Sequence, residues 1–536
     1  TKNLLLLNGC DHLMPQKALP QIISTVNQRM TDATLVHTTL ARHIASVKAE
    51  NPSLGSLKGE FRENRPARIT PGVLSTRIYL KQTNHQTTTA LEKYTEPFCA
   101  IAHCLGERYP AELIWQAWRY LLQCHPHDSI CGCSIDDVHR DMMRRFTWSQ
   151  EIAHALTEKA LSSLVRHVDT RSIDKGISML VFNSLSIERT DLAQASVTLI
   201  PVESRVPYLA DASTGTRIPF QVLRREKTYV TFDPSTGRVV GPIGEFLSQG
   251  GFEEELLARL KEEGKAQRLE AERWEILFIA NLVPALGYQT YVFKFEPDII
   301  QGTEKHSETG RWEEPDNLKA GTDFIENEFF RVRVTNNGTL LIEDKGTSKQ
   351  YEGLHYFEDR GDAGDEYNFS PPPKDLLLTT LNGKTRVSIE EQSPVRVTLK
   401  IEYDWRIPKY LIEDRHTRSP EHVECPITSY VSLSPSIRRI DFRTEVENRA
   451  EDHRLRVGFP SGIHVFSSHA EMPFDVVQRK VEHSEENALP LKQVPLAGGE
   501  EVKVGTYPQG NFMSISEGRR GLTVINQGLP EYEVYP

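Results

Sequence analysis

Met179-Leu180-Val181-Phe182-Asn183 marks the point where the hydrophobic period of this 536-residue chain changes. Ahead of it, Ile152, Leu156, Leu161, Leu164 and Val168 recur at the spacing of one helix face. Beyond it come short apolar runs bounded by turn residues, such as Ala195-Ser196-Val197-Thr198-Leu199 and Tyr229-Val230-Thr231-Phe232, which is how strands read. Helices gathered in one stretch and strands in the next argue for separate units, so the expected fold class is multidomain α+β.

Working towards the N-terminus, Leu113, Ala117, Tyr120, Leu121 and Cys124 share a helix face, and Pro126 stops that helix. Ser134 with Asp137 has the spacing of a capping box, and Ile135, Val138, Met142 and Phe146 stripe the next helix. Residues 51–172 therefore read as an irregular connection to about residue 85, followed by a three-helix bundle. Leu4-Leu5-Leu6-Leu7 reads as a buried strand. A helix with Ile22, Ile23 and Val26 on one side follows, then a second helix with Leu35, Leu40, Ile44 and Val47. Residues 1–50 are thus expected to be the end of an α/β layer.

Towards the C-terminus, residues 173–300 read as a first β-sandwich with a charged helical insert at 251–273. Residues 322–536 read as a large β-sandwich. There Phe329 to Val334, Thr339 to Ile342, Val397 to Ile401 and Arg439 to Arg443 are strands, and Asn336-Asn337-Gly338 is a hairpin turn. Residue 1 is Thr and leads straight into the leucine run, so the chain is expected to be an internal segment of a longer one.

The charge balance excludes some functions. Lys and Arg number 63 and Asp and Glu 74, a net charge of −11, which carries no basic footprint for nucleic acid. The leucine run is far short of the roughly 20 apolar residues that span a bilayer. Five of the seven cysteines fall between Cys99 and Cys133 in helical sequence, and read as reduced thiols of a cytoplasmic protein.

Three clusters could carry chemistry. Asn8-Gly9-Cys10-Asp11-His12 leaves the C-terminal end of the opening strand, where α/β folds place acids, bases and ligands, although the same residues make ordinary turns. His125-Pro126-His127-Asp128-Ser129-Ile130-Cys131-Gly132-Cys133 sets imidazole beside carboxylate on a helix corner. That pairing suits a metal ligand with an oriented neighbour. A structural zinc on Cys124, His127, Cys131 and Cys133 is one alternative, and a polar turn with buried thiols is another. Asp362-Ala363-Gly364-Asp365-Glu366-Tyr367-Asn368-Phe369-Ser370-Pro371-Pro372 could bind sugar hydroxyls or a cation, or be a solvated connection.

In this order the three clusters resemble glycoside hydrolase family 38, the zinc-dependent α-mannosidases, particularly the bacterial members. Gly59-Glu60-Phe61-Arg62, Gly72-Val73-Leu74-Ser75-Thr76-Arg77, Tyr79-Leu80-Lys81-Gln82, Asp136-Asp137-Val138-His139 and Gly528-Leu529-Pro530-Glu531-Tyr532-Glu533 extend the resemblance over essentially the whole chain. It implies the C-terminal end of a seven-stranded α/β barrel, a helical bundle, and β-sandwich domains of which the last is mutarotase-like. The implied activity is a retaining α-mannosidase hydrolysing terminal α-mannosides, with zinc gripping the sugar hydroxyls. By the family motif Asp11 is the acid/base carboxylate, His127 a zinc ligand, Asp128 a sugar contact, and Tyr367 a tyrosine reaching the site from the β region. The nucleophile and the remaining zinc ligands are expected upstream of residue 1, so the segment alone is expected to be inactive. The implied partner is a mannose-containing oligosaccharide or glycoside, with a homo-oligomer compatible. A mannosyl-glycerate-type hydrolase and a non-catalytic carbohydrate-binding fragment are the alternatives.

Overall fold

The computed structural model describes residues 2–9, 13–56, 60, 70–171, 173, 176–199, 205–235, 238–240, 246–247, 254–264, 266–297, 318–481 and 506–535. The chain divides into two compact units, Thr1–Ile69 and Thr70–Pro536. The first contains helices α1 (Leu19–Arg29), with Pro20 in its first turn, and α2 (Leu40–Ala49). Thr39 caps α2 by accepting from the Arg42 N–H, so Leu35 falls outside the helix. None of this unit's described side chains is buried. The expectation of a buried strand at Leu4–Leu7 is not met: the run forms no strand, and Leu4 is 83% exposed. A strand exists only through hydrogen bonds to a neighbour, and among the described residues this run has none.

The second unit opens with helices. α3 (Ile78–Thr89) starts inside the stretch read as irregular, and a π turn over Ala90–Thr95 carries it into α4 (Glu96–Cys104). Thr95 marks that turn by donating its hydroxyl to the Ala90 carbonyl, five residues back. α5 (Ala111–Leu122), the short α6 (His127–Ile130) and α7 (Asp136–Arg166) follow. The two stripes read as separate helices belong to one, because α7 runs unbroken for 31 residues. The expected capping box is also absent. Ile135 is the N-cap without a side-chain bond, and Asp136 and Asp137 complement the helix dipole instead. Against α7 the helices bury Leu80, Leu91, Leu121, Met142 and Phe146 in one cluster, and Phe98, Ile114, Leu156 and Leu164 in a second. Leu113, assigned to the core face, is 52% exposed, and Ile114 takes its place.

Strands β1 (Ile177–Phe182), β2 (Arg189–Leu199), β3 (Arg205–Asp211), β4 (Arg217–Ile218), β5 (Phe220–Asp233), β6 (Arg238–Val240) and β7 (Phe246–Leu247) come next. Helix α8 (Glu254–Glu263) precedes the long β8 (Gln267–Val283) and β9 (Tyr288–Pro297). They form antiparallel sheets ordered β1-β9-β3-β4 and β2-β8-β5-β6-β7, whose shared core includes Leu199, Phe220, Ile276, Phe278 and Phe293. The helical insert is therefore shorter than expected, since the chain from Gln267 is already strand. The division proposed between residues 300 and 322 lies mostly outside the described residues.

In the last region a five-stranded antiparallel sheet spans Lys319 to Leu354, and a four-stranded one joins Thr385–Gln392, Val397–Tyr403, Ile427–Leu433 and Asp441–Val446. Val332, Leu340, Leu399, Ile401 and Val431 alternate inward from the two sheets into one core. The hairpin at Asn336-Asn337-Gly338 forms as read, with Gly338 at φ 84°. Arg439, expected in a strand, instead pairs with Asp191 at 3.0 Å and Asp441 at 2.6 Å. The strand Tyr356–Gly361 pairs with His453–Gly458 and releases the chain directly into the acidic loop at 362–370.

Candidate functional site

The acidic loop is built by its own carboxylates. Asp362 accepts from the Gly364 and Ser370 N–H groups, and Asp365 from those of Tyr367 and Asn368. These bonds make a tight Asx-type fold in which the Oδ1 atoms of Asp362 and Asp365 shape the loop. Arg415 donates to the carbonyls of Asp362 and Gly364 from outside, and the Arg454 guanidinium covers the Phe369 ring at 4.6 Å. Burial raises the Asp362 carboxyl above its ordinary value, against the lowering bonds from Ser370 and Gly364.

Held this way, the loop rests on the turn before α3. Thr76 donates its hydroxyl to the Glu366 carbonyl at 2.9 Å. A Cβ on Gly72 would stand 2.8 Å from the Tyr367 carbonyl oxygen, so the approach requires glycine there.

The corner between α5 and α7 meets the loop through one thiol. Cys133 Sγ donates to Asp128 Oδ1 at 3.6 Å and is hydrogen-bonded to the Tyr367 phenol. The His127 Nε2 atom lies 3.6 Å from the same Asp128 oxygen. The result is a chain Tyr367–Cys133–Asp128–His127 linking the β loop to the helical corner. The bond to Cys133 holds the Tyr367 phenol above the ordinary tyrosine range. Burial raises the Cys133 thiol, as does Asp128, while Tyr367 acts against them. Being neutral at pH 7, thiol and phenol can pass hydrogen bonds along the chain towards an Asp128 carboxylate that is 60% exposed.

Three of the four candidate residues, His127, Asp128 and Tyr367, therefore meet at one place, and Asp11 lies outside the described residues. Cys133 was legible only as a thiol beside the corner. Its link to Tyr367 joins positions 234 apart, for which local sequence holds no signal. The structural-zinc alternative fails, because Cys124 is fully buried in the helical core, where the Tyr120 and Met142 carbonyls are the acceptors within reach of its one thiol hydrogen. All six described cysteines are free thiols. For a catalytic zinc the corner offers His127, 89% exposed, while the Nε2 atom of His125 is taken up by the Asn84 side chain at 2.7 Å. Among the described residues no three His, Cys, Asp or Glu side chains gather around a metal-sized space, so these residues do not by themselves make a zinc site.

Comparison with known proteins places both halves of this arrangement. Residues 70–164 match the Alpha mannosidase middle domain, and residues 325–534 match the Glycosyl hydrolases family 38 C-terminal domain. Over 555 aligned positions the chain is 25% identical to a Halalkalibacterium halodurans protein named "Putative mannosylglycerate hydrolase", covering 100% of this chain and 58% of that one. An Enterococcus faecalis protein of glycosyl hydrolase family 38 superposes with TM-score 0.76 at 25% identity, over 99% of this chain and 58% of its own. An alpha-mannosidase from Enterococcus faecalis V583 gives 0.78 at 26%, over 97% and 57%. The chain thus spans less than three fifths of the length of these relatives.

Proposed function

The chain belongs to glycoside hydrolase family 38, and from that premise we propose that it serves a retaining α-mannosidase, with the Tyr367–Cys133–Asp128–His127 chain forming one wall of the sugar site. The observation that carries this reading is the meeting of Asp128 and Tyr367, one from each matched domain, across the Cys133 thiol. An exposed carboxylate held at a fixed angle accepts hydroxyl hydrogen bonds from a sugar, and a phenol beside it adds an amphipathic face. Both would orient the glycoside for displacement at the anomeric carbon.

Asp11 is proposed as the acid/base carboxylate, which protonates the leaving oxygen and then activates water. Zinc is proposed as cofactor with His127 as one donor. The described residues supply no others, and no step above runs through the metal. A mannosyl-glycerate-type activity is the second reading, favoured by the name of the Halalkalibacterium relative.

The test is turnover of p-nitrophenyl α-mannoside and of mannosylglycerate by the complete protein, with elemental analysis of bound metal. Zinc near one per chain with release of nitrophenol supports the first reading, and preference for mannosylglycerate supports the second. Failure on both substrates overturns both. Asp11→Asn is expected to abolish turnover of substrates with poor leaving groups while sparing the first step on the activated aryl mannoside. Equal loss on both would remove Asp11 from the acid role. Full zinc occupancy in His127→Ala would remove His127 from the ligand set.

A further inference from the structure

Two cations one turn apart hold the corner that carries Asp128 and Cys133. Arg77 is the N-cap of α3 and sits in the left-handed region at φ 47°, a strained setting for a side-chain-bearing residue. Its Nε donates to the Gly132 carbonyl at 3.0 Å, and its Nη2 pairs with Asp136 at 2.8 Å. Lys81, four residues on, is 7% exposed. Its ammonium donates to the Cys131 carbonyl at 3.0 Å and to the Thr76 carbonyl.

These acceptors bear directly on the site. The carbonyls of residues 131 and 132 lie just past the end of α6, where a helix leaves its acceptors unsatisfied. The same two peptides lead into Cys133. Thr76, at the other end of Lys81, holds the Glu366 carbonyl and through it the Tyr367 loop. Lys81 is thus bonded at once to the corner with Asp128 and to the turn on which Tyr367 rests.

Stability alone does not account for a lysine at this position. Burial lowers its pKa to about 8, with Cys131 and Cys133 pulling the other way and Arg77 adding to the lowering. From α7, the buried imidazole of His139 also faces this group, its pKa lowered by burial and by the charge of Arg77, against Asp136 and the backbone of Asp128. Taking an ammonium out of water costs free energy that a neutral donor to the same two carbonyls would not incur. A cation kept here against that cost is one whose bonds matter for geometry.

We propose that Lys81 is a positioning residue that sets the spacing between the Asp128–Cys133 corner and the Tyr367 loop. The inference rests on the reading of that corner and loop as a sugar site, and it carries a consequence that an ordinary structural lysine lacks: stability and activity separate when Lys81 is replaced.

The experiment compares wild type, Lys81→Met and Lys81→Arg in the complete protein. Lys81→Met is expected to stay folded at the assay temperature, with at most a modest fall in melting from the two carbonyls it leaves without their donor. Its kcat/KM on p-nitrophenyl α-mannoside is expected to fall at least tenfold, with the change carried by KM because Asp128 and Tyr367 are assigned to binding. Lys81→Arg, which restores a charged donor, is expected to recover at least half of that loss on a logarithmic scale.

A second readout needs no turnover. The rate of Cys133 alkylation by iodoacetamide, followed by peptide mass spectrometry, is expected to rise at least threefold in Lys81→Met as the thiol parts from Asp128 and Tyr367. Faster alkylation in a protein with no mannosidase activity would uphold Lys81 and defeat the sugar-site reading instead. A Lys81→Met protein that unfolds, or whose melting falls in step with its activity, assigns a structural role and overturns the proposal. Unchanged kcat/KM together with unchanged alkylation does the same.

Discussion

His355 places a titratable ring inside an aromatic cluster. It is 1% exposed, its Nδ1 has no hydrogen-bond partner, and the rings of Phe357, Phe442 and Phe459 surround it at 5.1, 5.1 and 5.9 Å. Burial lowers its pKa from 6.5 to about 4. In the unfolded chain the ring takes up a proton near pH 6.5, and in the folded chain only near 4, so between these values the unfolded state binds more protons. Stability is therefore full above pH 6.5 and declines as pH falls towards 4, by about 3 kcal/mol from this residue. His355→Gln, whatever it costs at pH 7, should flatten the pH dependence of urea-unfolding free energy across that window, and an unchanged slope would refute the assignment. Sequence could not single out His355, since a histidine in a strand region looks alike whether solvated or enclosed by aromatics. Asp128 and Tyr367 were legible through the family motif that their clusters resemble, because each cluster by itself reads equally well as a polar turn or a solvated connection. Lys81 was legible only as part of a motif. Its partners Cys131 and Thr76 come from different turns, and an ammonium on a helix face normally means solvent.

At the scale of elements, the periodic helices were the most legible and their joins the least. α7 was read as two helices because its buried seam passes through the small residues Ser149 and Ala153 between the two large apolar runs, while the helix continues unbroken over 31 residues. The leucines at Leu4–Leu7 carried a strand's composition, but composition cannot supply the neighbour a strand needs. The join between the C-terminal loop and α3 was equally invisible, and it yields a quantitative test. Gly528 has φ 79°, and a Cβ there would lie 2.5 Å from Gln82 Cα and 3.0 Å from the Lys81 carbonyl oxygen. Gly518 has φ 58° with nothing within 4 Å of its Cβ position. Alanine at either glycine incurs the left-handed penalty of about 1–2 kcal/mol. Only Gly528→Ala must also push apart two backbones, which adds about 1–3 kcal/mol. The urea-unfolding free energies of the two variants should differ by that second quantity, seen as separated midpoints with m unchanged. Equal midpoints would show that the loop does not seat on α3.

At the scale of the molecule, the change of period at Met179 was readable because it is written in local side-chain spacing. The division at Ile69 and Thr70 is set by packing through space, and it makes a prediction about autonomy. Every hydrophobic cluster among the described residues draws its members from Thr70–Pro536. The unit Thr1–Ile69 contributes no buried described side chain, and its helices have 11 and 10 residues. Helices of that length are marginal in water unless a packed face supports them. A protein of residues 70–536 should therefore fold alone, with near-ultraviolet circular dichroism like that of the whole chain and a calorimetric transition within about 2 °C of it, since a transition moves by that much only for ΔΔG of roughly 1 kcal/mol or less. Residues 1–69 alone should show little helix and no cooperative melt. Loss of the main transition when residues 1–69 are removed would mean that the second unit's cores are not self-sufficient, and a cooperative melt from residues 1–69 alone would mean that the first unit has a core of its own.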